Sequence, residues 1–146
     1  MGVADRWTGW AWLSLCVAFA LHVVDEALGD FLSFYNPLVE SVRANVPFFP
    51  MPTFEFRVWI TGLVLAVLVL LSLTPLAFRG AKWMRPLCYA LAIIMMLNGL
   101  GHMAASAMLG SIFPGTFSSP LLVAAAAFLF ASLRWPTIQP PTETRA

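Results

Sequence analysis

The sequence predicts an all-α protein, a four-helix transmembrane bundle, on three observations. The 146 residues are 60% hydrophobic and only 10% charged, whereas a water-soluble domain carries about a quarter of its residues charged. The apolar residues gather into four runs, and a helix needs roughly 20 of them to cross a bilayer core. Within each run they are continuous rather than alternating. That selects helices over barrel strands, the only other structure that crosses lipid. The length suits one membrane domain, 1–136, with a flexible polar and proline-rich tail over 137–146.

The first span is expected at about 8–29. Arg6 and the triplet Ala18-Phe19-Ala20 imitate a signal peptide, but Asp5 weakens the positive start and the run is long enough to span, so it is read as retained. An outer loop, 30–57, follows. Asn36-Pro37 is a cap-and-proline start for a short interfacial helix over LVESVRANV, and PFFPMP stops it. The second span is expected at about 58–78, with Glu55 and Arg57 at its entrance. The basic stretch FRGAKWMR leads into the third, about 86–110. The loop SIFPGTFSSP then brings Ser119-Pro120 to the start of the fourth, about 119–135, which is at the short limit. Cys16 and Cys88 fall inside apolar runs and read as small buried hydrophobes, not as a disulfide.

With four spans, Arg6, Arg79, Lys82, Arg85, Arg134 and Arg145 share one side, and Arg43 and Arg57 the other. Positive residues favour the cytoplasm, so both termini are expected inside. A net charge of +1 gives no reason to expect nucleic acid. Membrane lipid is the expected partner.

Two polar clusters break the apolar pattern. In LHVVDEALGDF, His22 and Glu26 are four apart and share a helix face, with Asp25 on its flank. In MMLNGLGHMAASA, Asn98 and His102 are four apart, among the small residues Gly99, Gly101, Ala104, Ala105 and Ser106 that let helices approach closely. Both spans run inside to outside. At about 1.5 Å per residue, His22 lies about 5 Å beyond its span's midpoint and His102 about 6 Å beyond its own. Ionisable groups at matched depth in lipid need a partner, a cavity or a metal.

Two imidazoles and one or two carboxylates suit a single divalent metal, zinc or iron, with His22, Glu26 and His102 as ligands. Asp25 and Asn98 would support them, Asp25 also as a proton acceptor, and Glu55 could complete the set or stay in water beside Arg57. The chain lacks the Glu-x-x-His pairs of a di-iron bundle.

His22-Val-Val-Asp25-Glu26 resembles the signature of the HXXEE-domain proteins, small bacterial and archaeal membrane proteins named for that motif. Asn98-x-x-x-His102 and Pro114-Gly115 are similar to the rest of that pattern. Asp25 departs from it, standing where the name has glutamate. The resemblance implies four helices with a polar core site in a bacterial or archaeal cytoplasmic membrane, and no established reaction.

Three metal-free readings stand beside the metal. One is acid–base chemistry by Asp25 and Glu26 on a lipophilic, lipid- or sterol-like molecule. A His and a Glu four apart on a membrane helix are also similar to the sterol-isomerase and EXPERA group, and Trp12, Trp59, Phe48 and Phe49 could line such a pocket. A second is a proton or ion pathway, disfavoured by inner halves that are almost purely apolar. The third is a structural protein in which the acids only mark a helix end. Against it stand the depth match and the helix dipole, which disfavours acids at a C-terminus.

Overall fold

The computed structural model describes residues 3–46, 48 and 50–134. Its helices are α1 (Val3–Leu28), α2 (Leu32–Asn45), α3 (Phe56–Ser72), α4 (Thr74–Phe78), α5 (Met84–Leu109) and α6 (Ser119–Ser132), and no strand occurs among the described residues. α3 and α4 form one rod, Phe56–Phe78, interrupted only at Leu73, so the described residues hold five helical rods, one more than the four of the expected bundle. The fifth is α2, a helix of 14 residues inside the outer loop. Three rods are long and apolar enough to cross a membrane: Asp5–Leu28, Phe56–Phe78 and Met84–Leu109. α6 has 14 residues, about 21 Å of helix, which is short of a core about 30 Å thick.

Packing follows the apolar spacing. On α1 the buried stripe is Ala11, Trp12, Leu15, Cys16, Phe19, His22, Val23 and Glu26, a run of three- and four-residue steps. The two polar residues thus lie on the core stripe itself. α1 packs on α3, α4 and α6, and α5 packs chiefly on α6. The outward faces carry Val17, Leu21, Val24, Leu65, Leu68, Ile93 and Leu97, all exposed. An apolar surface of that extent suits lipid. Trp12 is fully buried, and its indole N–H donates to the Leu70 carbonyl at 3.1 Å. That contact lies beside the helix break, where Pro75 has no N–H to offer. Trp12 therefore belongs to the core. Phe48 is almost fully exposed, and Phe49 lies outside the described residues.

α1 ends in a left-handed turn. Phe31 N–H donates to the Glu26 carbonyl at 3.1 Å and Gly29 N–H to the Asp25 carbonyl at 2.9 Å. Asp30 takes the left-handed position at φ +56°, which aspartate tolerates better than most residues. α2 starts directly after this turn, four residues before the expected cap. Asn36 and Pro37 therefore lie inside the helix. Asn36 instead clamps the returning chain: its amide donates to the Phe54 carbonyl at 2.9 Å and its carbonyl accepts Phe54 N–H at 3.0 Å. Tyr35 Oη donates to the Pro52 carbonyl at 3.0 Å, and Arg43 donates to the Met51 carbonyl.

The small residues of α5 divide into two kinds. A Cβ on Gly99 would stand 2.8 Å from Val123 Cγ2 and 3.1 Å from the Ser119 carbonyl, whereas one on Gly101 would meet nothing within 4 Å. Gly99→Ala is therefore expected to cost about 1–3 kcal/mol by forcing α5 from α6. Gly101→Ala should leave the thermal midpoint unchanged or slightly raised, since alanine is the better helix former. Thermal unfolding in one detergent separates the two variants.

A candidate metal centre at one end of the bundle

The C-terminal ends of α1 and α5 meet the N-terminal end of α6 at one end of the bundle. There α1 presents His22 and Glu26 from its buried stripe, and α5 presents His102. All three are buried. The two imidazole rings meet edge to face with centroids 4.8 Å apart. Glu26 Oε1 lies 3.0 Å from His102 Nε2 and 3.5 Å from His22 Nε2. One donor atom from each of the three residues falls within 4.8 Å of the others. Two donors on one zinc ion, with bonds near 2.0–2.2 Å at the tetrahedral angle, stand about 3.3 Å apart. The group has the residue types and the spacing to hold a metal ion.

The outer nitrogens fix the tautomers. His102 Nδ1 lies 2.5 Å from the Pro114 carbonyl. A carbonyl only accepts, so Nδ1 carries the proton. His22 Nδ1 lies 2.8 Å from Ser118 Oγ. Ser118 Oγ–H is drawn to Asp25 Oδ2 at 2.8 Å, and the hydroxyl oxygen is left to accept from His22 Nδ1–H. In neutral imidazoles both Nε2 atoms then hold bare lone pairs facing one carboxylate oxygen. A proton on His102 Nε2 would satisfy the 3.0 Å contact. It would leave His22 Nε2, which is buried and makes no hydrogen bond because its 3.5 Å approach to Glu26 is not aligned for one. A cation between the three groups satisfies all of them.

A loop folded inward completes the site. Thr116 N–H donates to the Phe113 carbonyl at 3.1 Å, Phe113 N–H to Ser106 Oγ at 2.7 Å, and Ser118 N–H to Asp25 Oδ2 at 2.8 Å. Ser106 and Thr116 join hydroxyl to hydroxyl at 2.6 Å, and Thr116 Oγ1 donates to the His102 carbonyl at 3.2 Å. Gly115, at φ +85°, passes directly under the rings. A Cβ there would stand 2.7 Å from His102 Nδ1 and 3.0 Å from His22 Cε1. Above His102 lie Phe31 and Phe113, with centroids at 5.5 and 5.4 Å. Trp59 and Tyr35 stack on Phe31 in turn.

Of the residues singled out from the sequence, His22, Glu26 and His102 converge. Asp25 is half-buried and touches Ser118, outside the His–Glu–His group. Asn98 does not join: it is exposed on α5. His102 shares its buried face with Gly99, and consecutive helical residues point about 100° apart, so Asn98 turns away. Glu55 is exposed at the N-cap of α3 and also stays outside. Sequence reasoning missed Ser118, the Pro114 carbonyl and the Phe31–Phe113 cover. Pro114-Gly115 marked the loop, but nothing in sequence marks a backbone carbonyl or one serine among many as a histidine's partner.

No curated protein matches the chain, and no solved structure does. The family described as "Protein of unknown function with HXXEE motif" matches residues 12–130, most of the chain and all three converging side chains. His22-Val-Val-Asp25-Glu26 supplies the motif with aspartate for its first acid, and the chain belongs to the HXXEE family.

Proposed function

We propose that His22, Glu26 and His102 bind one divalent metal ion, zinc or iron, in the outer leaflet of a bacterial or archaeal cytoplasmic membrane. The observation that carries this is the pair of Nε2 atoms aimed at one carboxylate oxygen while both Nδ1 atoms are held elsewhere. Metal-ligating histidines commonly give their second N–H to a carbonyl or carboxylate in this way. Bound there, the ion would supply Lewis-acid or, for iron, redox chemistry. The chain's own residues do the rest. Pro114 and the Ser118–Asp25 pair hold the two rings in register, and Phe31 and Phe113 limit water. Glu26 supplies the negative charge. The bias of Arg79, Lys82, Arg85 and Arg134 towards the opposite end supports cytoplasmic termini and an outward site.

A second reading rests on the 3.0 Å contact between His102 Nε2 and Glu26 Oε1. One proton fills that gap, and the site would then be a metal-free acid–base pocket for a lipophilic molecule. Glu26 would handle the proton, and Asp25 would act through Ser118.

Elemental analysis of the detergent-purified chain separates the readings. The metal reading expects about one ion per chain, lost in His22→Ala, His102→Ala and Glu26→Gln and kept in Asn98→Ala. Protein that stays metal-free after reconstitution with zinc and with ferrous iron sinks it and leaves the acid–base pocket. Ser118→Ala should keep the stoichiometry but weaken metal affinity about 10–100-fold, the usual effect of removing a ligand's hydrogen-bond partner; competition with a calibrated chelator measures it. Gly115→Ala combines a strained backbone with a Cβ in the rings and should cost at least about 1–3 kcal/mol. Its lowered thermal midpoint should come with loss of the ion.

A further inference from the structure

The opposite end of the bundle holds a cavity of about 520 Å³ among the N-terminal ends of α1 and α5, the α4–α5 turn and the C-terminal end of α6. That volume is within the roughly 300–1,000 Å³ of small-ligand sites. His22 lies fourteen positions along α1 from Thr8 on the cavity wall, about 21 Å of helix. Whatever it binds is independent of the His–Glu–His group.

Its charge is one-sided. Lys82, Arg85 and Arg134 line it against the single carboxylate of Asp5. Asp5 sits close against Gly80, which at φ +64° has no Cβ to displace it. Two of the cations are held in place. Arg85 donates to the Leu133 carbonyl at 3.1 Å, tying the start of α5 to the end of α6. The Arg134 guanidinium lies 4.7 Å from the centre of the Phe130 ring, and Tyr89 meets that ring edge-on at 5.6 Å. The cavity also receives the N-terminal end of α5, a helix of 26 residues whose N-cap, Trp83, makes no side-chain cap. Met84 N–H and Arg85 N–H are already taken by the Ala81 and Lys82 carbonyls at 2.9 and 3.3 Å, and Pro86 has none, so the helix end adds only the positive end of its dipole. All three cations are solvent-exposed and belong to the positive bias of this end, so their remaining N–H donors are free to turn towards an anion in the cavity.

We propose that this cavity binds the phosphate of an anionic phosphoester. Its position at the end of the membrane-crossing rods is where lipid headgroups lie. Basic pockets between membrane helices on the cytoplasmic side take such headgroups. A soluble phosphoester offers the same charge and oxygens. The recognised chemistry is the same in both cases: a net negative charge and several acceptor oxygens facing two guanidinium groups and an ammonium.

The test titrates the full chain in a neutral detergent with three probes: dioctanoyl phosphatidate, dioctanoyl phosphatidylcholine and glycerol 3-phosphate. Calorimetry follows binding. Saturable binding of the phosphatidate over the zwitterionic phosphatidylcholine identifies a lipid headgroup. Saturable binding of glycerol 3-phosphate at comparable affinity identifies a soluble phosphoester. Either result supports the proposal if Lys82→Gln/Arg134→Gln weakens binding by about tenfold or more. If the double variant does not fold, the single Lys82→Gln, on an exposed side chain, takes its place with a loss of several-fold. Binding of neither anion, or binding that these variants leave unchanged, overturns the proposal.

Discussion

The structure turns on one carboxylate oxygen facing two imidazole nitrogens inside an apolar bundle. In water such a group would be solvated and would constrain nothing. Buried among helices whose outer faces are apolar, an unpaired charge or a bare lone pair costs several kcal/mol. Every neighbouring element is arranged to answer that cost. α1 puts His22 and Glu26 on its core stripe. α5 brings His102 across. The loop after α5 turns inward to take both Nδ1 protons. The left-handed turn at Asp30 carries Phe31 over the His102 ring.

That inward loop is irregular backbone beside a buried polar site, where unpaired peptide groups are costly. It survives because its groups find protein partners. Ser106 takes Phe113 N–H, Asp25 takes Ser118 N–H, His102 donates to the Pro114 carbonyl, and Ser119 Oγ donates to the Gly115 carbonyl at 2.7 Å. The shortness of α6 follows from this. The residues just before it close over the site, and Ser118 is its N-cap. The loop also explains why Gly115 has no substitute: left-handed backbone and contact with both rings coincide at that residue.

Much of this was legible in the sequence, for an identifiable reason. Membrane helices declare themselves by uninterrupted apolar runs, and His22 with Glu26 declared a shared face by their spacing. What the spacing could not give was the rotation of each helix about its axis. Asn98 and His102 share a face loosely, yet α5 turns Gly99 inward, and Asn98 goes outward with its neighbours Leu97 and Gly101. The start of α2 was misplaced for a related reason. Asn36-Pro37 has the residue types of a helix cap, but the chain was already helical on leaving the turn at Asp30, and Asn36 was free to clamp Phe54. Local chemistry proposes such boundaries, and a longer-range contact decides them.

The departure at Asp25 shows how the two acids of the motif divide their work. Positions three and four beyond His22 point about 100° apart on α1. Glu26 stays on the stripe and meets the imidazoles. Asp25 leaves it and faces the beginning of α6, where its Oδ2 accepts both the N–H and the hydroxyl of Ser118 at 2.8 Å. A carboxylate at a helix N-terminus is favourable, so Asp25 stabilises α6 and, through Ser118, sets the tautomer of His22. The shorter aspartate already reaches both Ser118 donors, so this role does not need the longer side chain. The helix-dipole cost of acids at the end of α1 is offset where Asp25 faces the positive end of α6. The motif then reads as a histidine and an acid that meet in the buried group and a second acid that anchors a neighbouring helix.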